Sequence, residues 1–233
     1  MKVVILAGGF GTRLAEYTQT IPKPMVEIGG EPILTHIMRI FKSFNFDDFI
    51  VAAGYKKDVI IDYYENSKEF QNLKIVDTGK NTMTGGRLLR LKKFIKENEN
   101  FFMTYGDGLC NVDLNKLNNF HLNHNKLATV TAVHPPVRFG ELEIEDKKVI
   151  KFEEKPQAKA GWINGGFFIL NYKIFNYLEN DKTFFEREPL EKLTKEENLM
   201  AFKHEGFWKC MDNLRDKLIL DKMCDEKKML WKI

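Results

Sequence analysis

The run Lys2-Val3-Val4-Ile5-Leu6-Ala7 passes without a break into Gly8-Gly9-Phe10-Gly11-Thr12-Arg13-Leu14, and no other stretch constrains the fold as much. A continuous apolar, β-branched run with no polar alternation is the pattern of a central parallel strand buried on both faces. Glycines directly after such a strand let backbone N–H groups approach an anion without Cβ obstruction. Arg13 adds a planar fork suited to phosphate, and Thr12 a hydroxyl donor. A plain turn between strand and helix accounts for the same residues equally well at this point. Two better-defined phosphate motifs do not fit. A dinucleotide fingerprint needs a glycine where Leu14 stands, and a Walker loop needs Gly-Lys-Ser/Thr after its second glycine.

The alternation continues downstream. Ile33, Ile37, Ile40, Phe41 and Phe44 predict a helix over 31–44, with Pro32 in its first turn, where its missing N–H costs nothing. Strands are expected over 49–53, 73–76 and 101–105, and helices over 58–64 and 86–95. This order predicts an α/β fold with a doubly wound, mostly parallel, Rossmann-like sheet. After Lys126, strand-like runs at 128–133, 142–144, 149–153 and 162–170 have short connections. A helix over 212–223 closes the pattern, with Leu214, Leu218 and Met223 expected on its buried side. No linker, repeat or low-complexity tract intervenes. The expectation is therefore a single domain over 1–233, with a nucleotide half to about residue 125 and a smaller, mixed-strand acceptor half beyond it. The 233 residues suffice for a core that needs no staples.

Charge excludes some functions. With 36 basic and 33 acidic residues and no clustered basic field, neither a nucleic-acid nor a membrane surface is indicated. Cys110, Cys210 and Cys224 form no CxxC or Cys/His cluster, so no structural zinc site or disulfide framework is expected, and free thiols fit a reducing cytoplasm. The apolar run at Met1–Leu6 is too short for a leader and reads as a strand. A cytoplasmic enzyme is the expectation.

LAGGFGTRL, followed by Pro22-Lys23-Pro24-Met25 and Pro32-Ile33-Leu34, resembles the signature of the sugar-nucleotide pyrophosphorylases, nucleotidyltransferases that act on sugar 1-phosphates. The resemblance implies that Leu6, Ala7, Gly8, Gly9, Gly11, Thr12, Arg13 and Lys23 hold a nucleoside triphosphate, with Arg13 and Lys23 in catalytic roles. Prolines on both sides restrict the backbone around Lys23. Tyr105-Gly106-Asp107-Gly108 closes a strand, and the resemblance makes Asp107 a nucleotide-side Mg²⁺ ligand. Asp212, in Trp208-Lys209-Cys210-Met211-Asp212, is implied as the second Mg²⁺ ligand; a helix N-cap is its other reading. Glu153-Glu154-Lys155-Pro156 resembles the acceptor motif, with Lys155 facing the acceptor's phosphate in a catalytic role and Glu154 its hydroxyls. Arg138-Phe139-Gly140 and Asn164-Gly165 complete the implied acceptor side.

Within that family, Val76-Asp77-Thr78-Gly79 and Met83-Thr84-Gly85-Gly86-Arg87 resemble the cytidylyl-transferring members that act on glucose 1-phosphate. This implies CTP, with Thr84, Gly85 and Gly86 lining the cytosine, and a homo-oligomer. Thr84 near a helix cap is the plainer reading of the same residues. The chain departs from the pattern in a short segment between Tyr64 and Val76 and in Val137, which stands where a glycine is expected. These departures keep a different small phosphorylated acceptor open, such as phosphoglutamine in capsule phosphoramidate synthesis. A non-catalytic nucleotide-binding regulatory module is the competing class. Retention of Arg13, Lys23, Asp107, Lys155 and Asp212 argues against it. His36, His121, His124, His134 and His204 are scattered and receive no catalytic role.

The two motif lysines should divide between substrates. Lys23→Met is expected to weaken nucleotide binding roughly ten- to hundredfold, the loss of one charge-assisted contact. Lys155→Met is expected to raise the KM for the acceptor and leave nucleotide binding nearly unchanged. Calorimetric titration of CTP into both variants checks the division. An equal loss in both contradicts it.

Overall fold

The computed structural model describes residues 1–135, 141–145, 147–153 and 161–232. In chain order, β1 (Lys2–Leu6) is followed by α1 (Ala15–Thr18), the short strands β2 (Glu27–Ile28) and β3 (Glu31–Pro32), and α2 (Ile33–Ser43). Then come β4 (Asp48–Ala53), α3 (Lys57–Tyr64), β5 (Leu73–Asp77), α4 (Thr84–Leu91) and β6 (Asn100–Tyr105). The second half begins with β7 (Gly108–Cys110), α5 (Leu114–His124), β8 (Ala128–Val133) and the hairpin of β9 (Glu141–Glu145) and β10 (Lys148–Glu153). It ends with β11 (Ile163–Asn171), α6 (Glu188–Lys195), β12 (Leu199–His204), β13 (Trp208–Cys210) and α7 (Leu214–Asp225).

Among the described residues, seven strands form the central sheet in the order β12-β8-β11-β6-β1-β4-β5. The β1–β4, β1–β6, β4–β5 and β8–β12 pairs are parallel, and β11 runs antiparallel to both β6 and β8. The α/β sheet read from the sequence is thus present, with one reversed strand in its second half. From β1 the chain moves outward to β4 and β5, then returns to pair β6 on the other side of β1. That reversal opens a crevice beyond the carboxyl ends of β1 and β6, where open α/β sheets take their ligands.

Alternate side chains feed two cores, one on each face. Val3 and Ile5 pack with Phe102, Phe167 and Ile169 beneath α2, whereas Val4 and Leu6 pack with Phe101, Met103, Phe168 and Leu170 beneath α4. Phe41 of α2 lies 5.4 Å from the Phe102 ring and stacks on Phe167 at 5.8 Å.

Several expectations change. Pro32 precedes α2 as its N-cap residue instead of lying in the first turn. The helix expected from Gly86 begins at Thr84 and ends at Leu91, followed by a 3₁₀ turn at Lys92–Phe94. The last helix is capped by Asn213, whose side chain accepts from the Asp216 N–H, so Asp212 is not its cap. Its expected buried side is wrong in part: Leu214 and Leu218 are exposed, and Leu220 is the residue that is buried. Replacing Phe41 by alanine should cost about 3–5 kcal/mol, the usual price of a buried aromatic truncation. Urea unfolding followed by circular dichroism measures it, and a loss below about 1 kcal/mol would mean that α2 is not held by this aromatic contact.

Candidate active site

The phosphate-type loop starts where β1 ends. Gly11 turns the chain with φ 64°, a left-handed conformation that favours glycine, and the Leu14 N–H closes a tight turn onto the Gly11 carbonyl at 3.0 Å. A Cβ at Gly9 would meet no atom within 4 Å, so this backbone faces open space. At Gly8 a Cβ would lie 2.1 Å from Nη1 of Arg87. Arg87 is 3% exposed and donates to the carbonyls of Gly8 (2.8 Å) and Gly79 (2.7 Å) and to the Thr78 hydroxyl (2.8 Å). These acceptors are uncharged. Burial, with Arg90 adding, lowers its pKa from the ordinary arginine value. Arg87 therefore ties the phosphate-type loop to the segment after β5.

Lys23 sits in a 3₁₀ turn, Lys23–Met25, closed by the Met25 N–H on the Pro22 carbonyl at 2.8 Å. The turn is buried, and Pro24 packs against Gly106, where a Cβ would lie 2.9 Å from the proline ring. This aims the ammonium at Asp107, just beyond β6. Lys23 Nζ donates to Asp107 Oδ2 at 2.6 Å and to Asp212 Oδ1 at 3.0 Å. Arg13 Nη1 donates to Asp212 Oδ2 at 2.8 Å.

Asp212 reaches the site through a second strand pair. β13 runs antiparallel to β7, with Cys210 opposite Gly108, and the Met211 N–H donates to the Asp107 carbonyl at 2.9 Å. The two aspartates, 105 positions apart in the chain, are thereby locked side by side. Burial works against the Lys23 ammonium, but Asp107 and the other acceptors outweigh it and raise its pKa above the ordinary lysine value. Burial likewise works against the Asp212 carboxylate, and Lys23 followed by Arg13 more than offsets it, leaving its pKa lowered.

These groups line one cavity of about 640 Å³. Leu6, Ala7, Gly8, Gly9, Gly11, Thr12, Arg13, Lys23, Thr84, Asp107, Asn164, Gly165 and Asp212 all contribute to its wall. Gly85 and Gly86 do not. Their N–H groups donate to the Thr183 carbonyl, and Cβ atoms there would meet Thr183 and Asp181. The Thr84 hydroxyl is committed as well, donating to Glu186 at 2.6 Å and accepting from the Phe185 N–H at 2.9 Å. Asn164 accepts from the Gly166 N–H, and the Gly165 carbonyl accepts from the Trp208 indole at 2.7 Å. Arg138, Gly140, Glu154 and Lys155 lie outside the described residues.

The sequence reading missed Arg87, Tyr105 and Cys210 at this cavity. All three stood inside strings already singled out, but none of those strings indicates which atoms the arginine, tyrosine or cysteine would reach. Tyr105 is half-buried and donates to Glu186 at 2.6 Å, joining the cavity wall to the α6 side. The described residues include no helix long and apolar enough to cross a membrane.

Comparison with known proteins identifies the family and the fold. The family model described as Nucleotidyl transferase matches residues 2–216. A glucose-1-phosphate cytidylyltransferase from Salmonella typhi is 46% identical over 254 aligned positions, covering 100% of this chain and 99% of that protein. The crystal structure of HddC from Yersinia pseudotuberculosis superposes with a TM-score of 0.75 at 31% identity, over 97% of this chain and 99% of that one. UDP-glucose pyrophosphorylase complexed with UDP-glucose shares the fold at a TM-score of 0.76 and 19% identity, over 97% of this chain and 98% of that one.

Arg87→Lys tests the loop anchor. A point-charge ammonium cannot span the Gly8 and Gly79 carbonyls together. The KM for the nucleoside triphosphate should rise about tenfold or more, with a smaller change in kcat. Steady-state kinetics beside a thermal melt checks this. A lower Tm with unchanged KM would leave Arg87 a purely structural residue.

Proposed function

The chain belongs to the nucleotidyl transferase family, and on that premise we propose that it transfers CMP from CTP to glucose 1-phosphate, forming CDP-glucose and releasing pyrophosphate. The observation that carries this reading is the cluster of Arg13, Lys23, Asp107 and Asp212 beside an unobstructed glycine loop. The nucleotide and acceptor follow from the likeness to the Salmonella enzyme.

The reaction needs no enzyme nucleophile. The acceptor's phosphate oxygen is already anionic and attacks the α-phosphorus, a P–O bond forms there, and the bond to the β-phosphate oxygen breaks. The protein's share is positioning and charge stabilisation. Backbone N–H groups of the glycine loop face the triphosphate. Arg13 and Lys23 exchange their carboxylate partners for phosphate oxygens and hold the departing pyrophosphate. Asn164 and Gly165 form the acceptor side of the cavity wall, and Lys155 brings in the acceptor phosphate by the sequence resemblance. The donor set fits a divalent ion: Asp107 and Asp212 converge on one point now spanned by a single ammonium. They would hold Mg²⁺, which takes one or two protein carboxylates and completes its shell with water and phosphate. When bound, it neutralises charge developing on the phosphates.

Pyrophosphate release from CTP, Mg²⁺ and a panel of phosphorylated acceptors tests the reading. Turnover with glucose 1-phosphate is expected, and it should be faster with CTP than with UTP or dTTP. Phosphoglutamine turnover in its place would replace the acceptor and keep the nucleotide. Asp107→Asn preserves size and should leave the circular dichroism spectrum intact while turnover falls by orders of magnitude. Near-normal turnover of that variant at saturating Mg²⁺ overturns the metal assignment.

A further inference from the structure

Cys210 has no part in the transfer described above, yet its position is tightly specified. Pairing of β13 with β7 sets Cys210 opposite Gly108, next to Asp107 and two residues before Asp212. It lines the same cavity. One ligand atom from each of Asp107, Cys210 and Asp212 can be chosen so that all three lie within 4.8 Å of one another. Mg²⁺ is a hard ion that takes oxygen ligands, so sulfur adds nothing to its binding. A sulfur beside two carboxylates instead suits softer ions.

We propose that Asp107, Cys210 and Asp212 together form a site for a thiophilic divalent cation of the Zn²⁺ or Co²⁺ class, which competes with Mg²⁺ for the same two carboxylates. The proposal rests on the assignment of those carboxylates as cation ligands. A tetrahedral ion with bonds of about 2.3 Å to sulfur and about 2.0 Å to oxygen sets neighbouring ligand atoms roughly 3.5 Å apart. Binding would draw the three ligand atoms, now within 4.8 Å of one another, to that spacing. On ligation the S–H bond breaks, a sulfur–metal bond forms, and the proton leaves to solvent. Lys23 Nζ, now 2.6 Å from Asp107 and 3.0 Å from Asp212, withdraws as the ion takes over both carboxylates. Three protein ligands leave a fourth position for water or a phosphate oxygen.

The chain's other cysteines are placed differently. Cys110 is fully buried, and Cys224 packs on α7 against Gly29, where a Cβ would lie 2.6 Å from it. A sulfur signal that depends on Cys210 can therefore be told apart from theirs by substitution.

Titrating CoCl₂ into the full chain, followed by absorption and calorimetry, is the test. A stoichiometric sulfur-to-cobalt charge-transfer band is expected in the near ultraviolet. Cys210→Ser and Cys210→Ala should lose that band and bind Co²⁺ more weakly by at least the roughly tenfold that loss of even an outer-shell partner costs. Their circular dichroism spectra should match the parent's. Tight Co²⁺ binding that Asp107→Asn abolishes, with no band in the parent chain, overturns the sulfur ligand and leaves the carboxylate site standing. A band that persists in Cys210→Ser overturns the proposal by assigning the signal to another thiol. If neither Co²⁺ nor Mg²⁺ binds, even with CTP present, the carboxylate site and this proposal fall together. Should both cysteine variants misfold, the parent band and its loss in Asp107→Asn decide the matter.

Discussion

Lys23 is the centre on which the rest of the site depends. Its ammonium is nearly buried and bridges Asp107 and Asp212 at 2.6 and 3.0 Å. A charge placed there without partners would be strongly destabilising, so each member holds the others in place. The three residues arrive from separate parts of the chain: a turn after α1, the end of β6, and the segment after β13. The knot therefore depends on both the sheet and the small β7–β13 pair. Arg13 adds a second cation on the solvent side. Two cations facing two carboxylates form an arrangement that anions and a divalent ion can take apart, with the lysine and arginine passing to phosphate and the aspartates to metal.

The scaffold suits the proposed exchange because packing holds the backbone around it. Both faces of β1 are buried in separate cores, so the strand that carries the glycine loop cannot tilt. Pro24 rests on Gly106, and the Met211 N–H is bonded to the Asp107 carbonyl, which joins the lysine turn and both aspartates by short-range contacts. Arg87 does the same on the opposite wall. Its guanidinium enters a space that exists because Gly8 and Gly54 carry no side chain; a Cβ at Gly54 would lie 2.4 Å from Nη1. Packing thus fixes the walls, while the groups proposed to meet substrate are paired by charge, which water, ions and phosphate can replace.

What could be read from the sequence follows from how local each signal is. β1 and its loop were legible because a buried parallel strand and a glycine turn leave patterns within a few residues. The periodicity of α2 was equally clear: Ile33, Ile37, Ile40 and Phe41 are buried, while Phe44 is the half-buried C-cap just past the helix end. Helix α5 left no such trace: it is rich in asparagine, a weak helix former, and starts from Asp113 capping the Lys116 N–H. The edge strand β12 went unread because none of its residues is fully buried and its exposure alternates only weakly over six residues. Leu214 and Leu218 follow a helical period, but period alone does not say which face meets the sheet. The reach of Cys210 depends on strand register and that of Arg87 on space left by distant glycines. Gly85 and Gly86 were recognised as a motif, yet they pack against Thr183 and Asp181 instead of lining the cavity.

The most direct test of the Lys23–Asp107–Asp212 knot as the seat of a metal-bound nucleotide is calorimetric titration of CTP with and without Mg²⁺. The parent chain should be compared with a double variant carrying Asp107→Asn and Asp212→Asn. Tight binding to the parent should require the ion, and the double variant should bind CTP with an affinity that Mg²⁺ no longer changes. The same Mg²⁺ dependence in both proteins, or parent binding undiminished by a chelator, would contradict that role for the two aspartates.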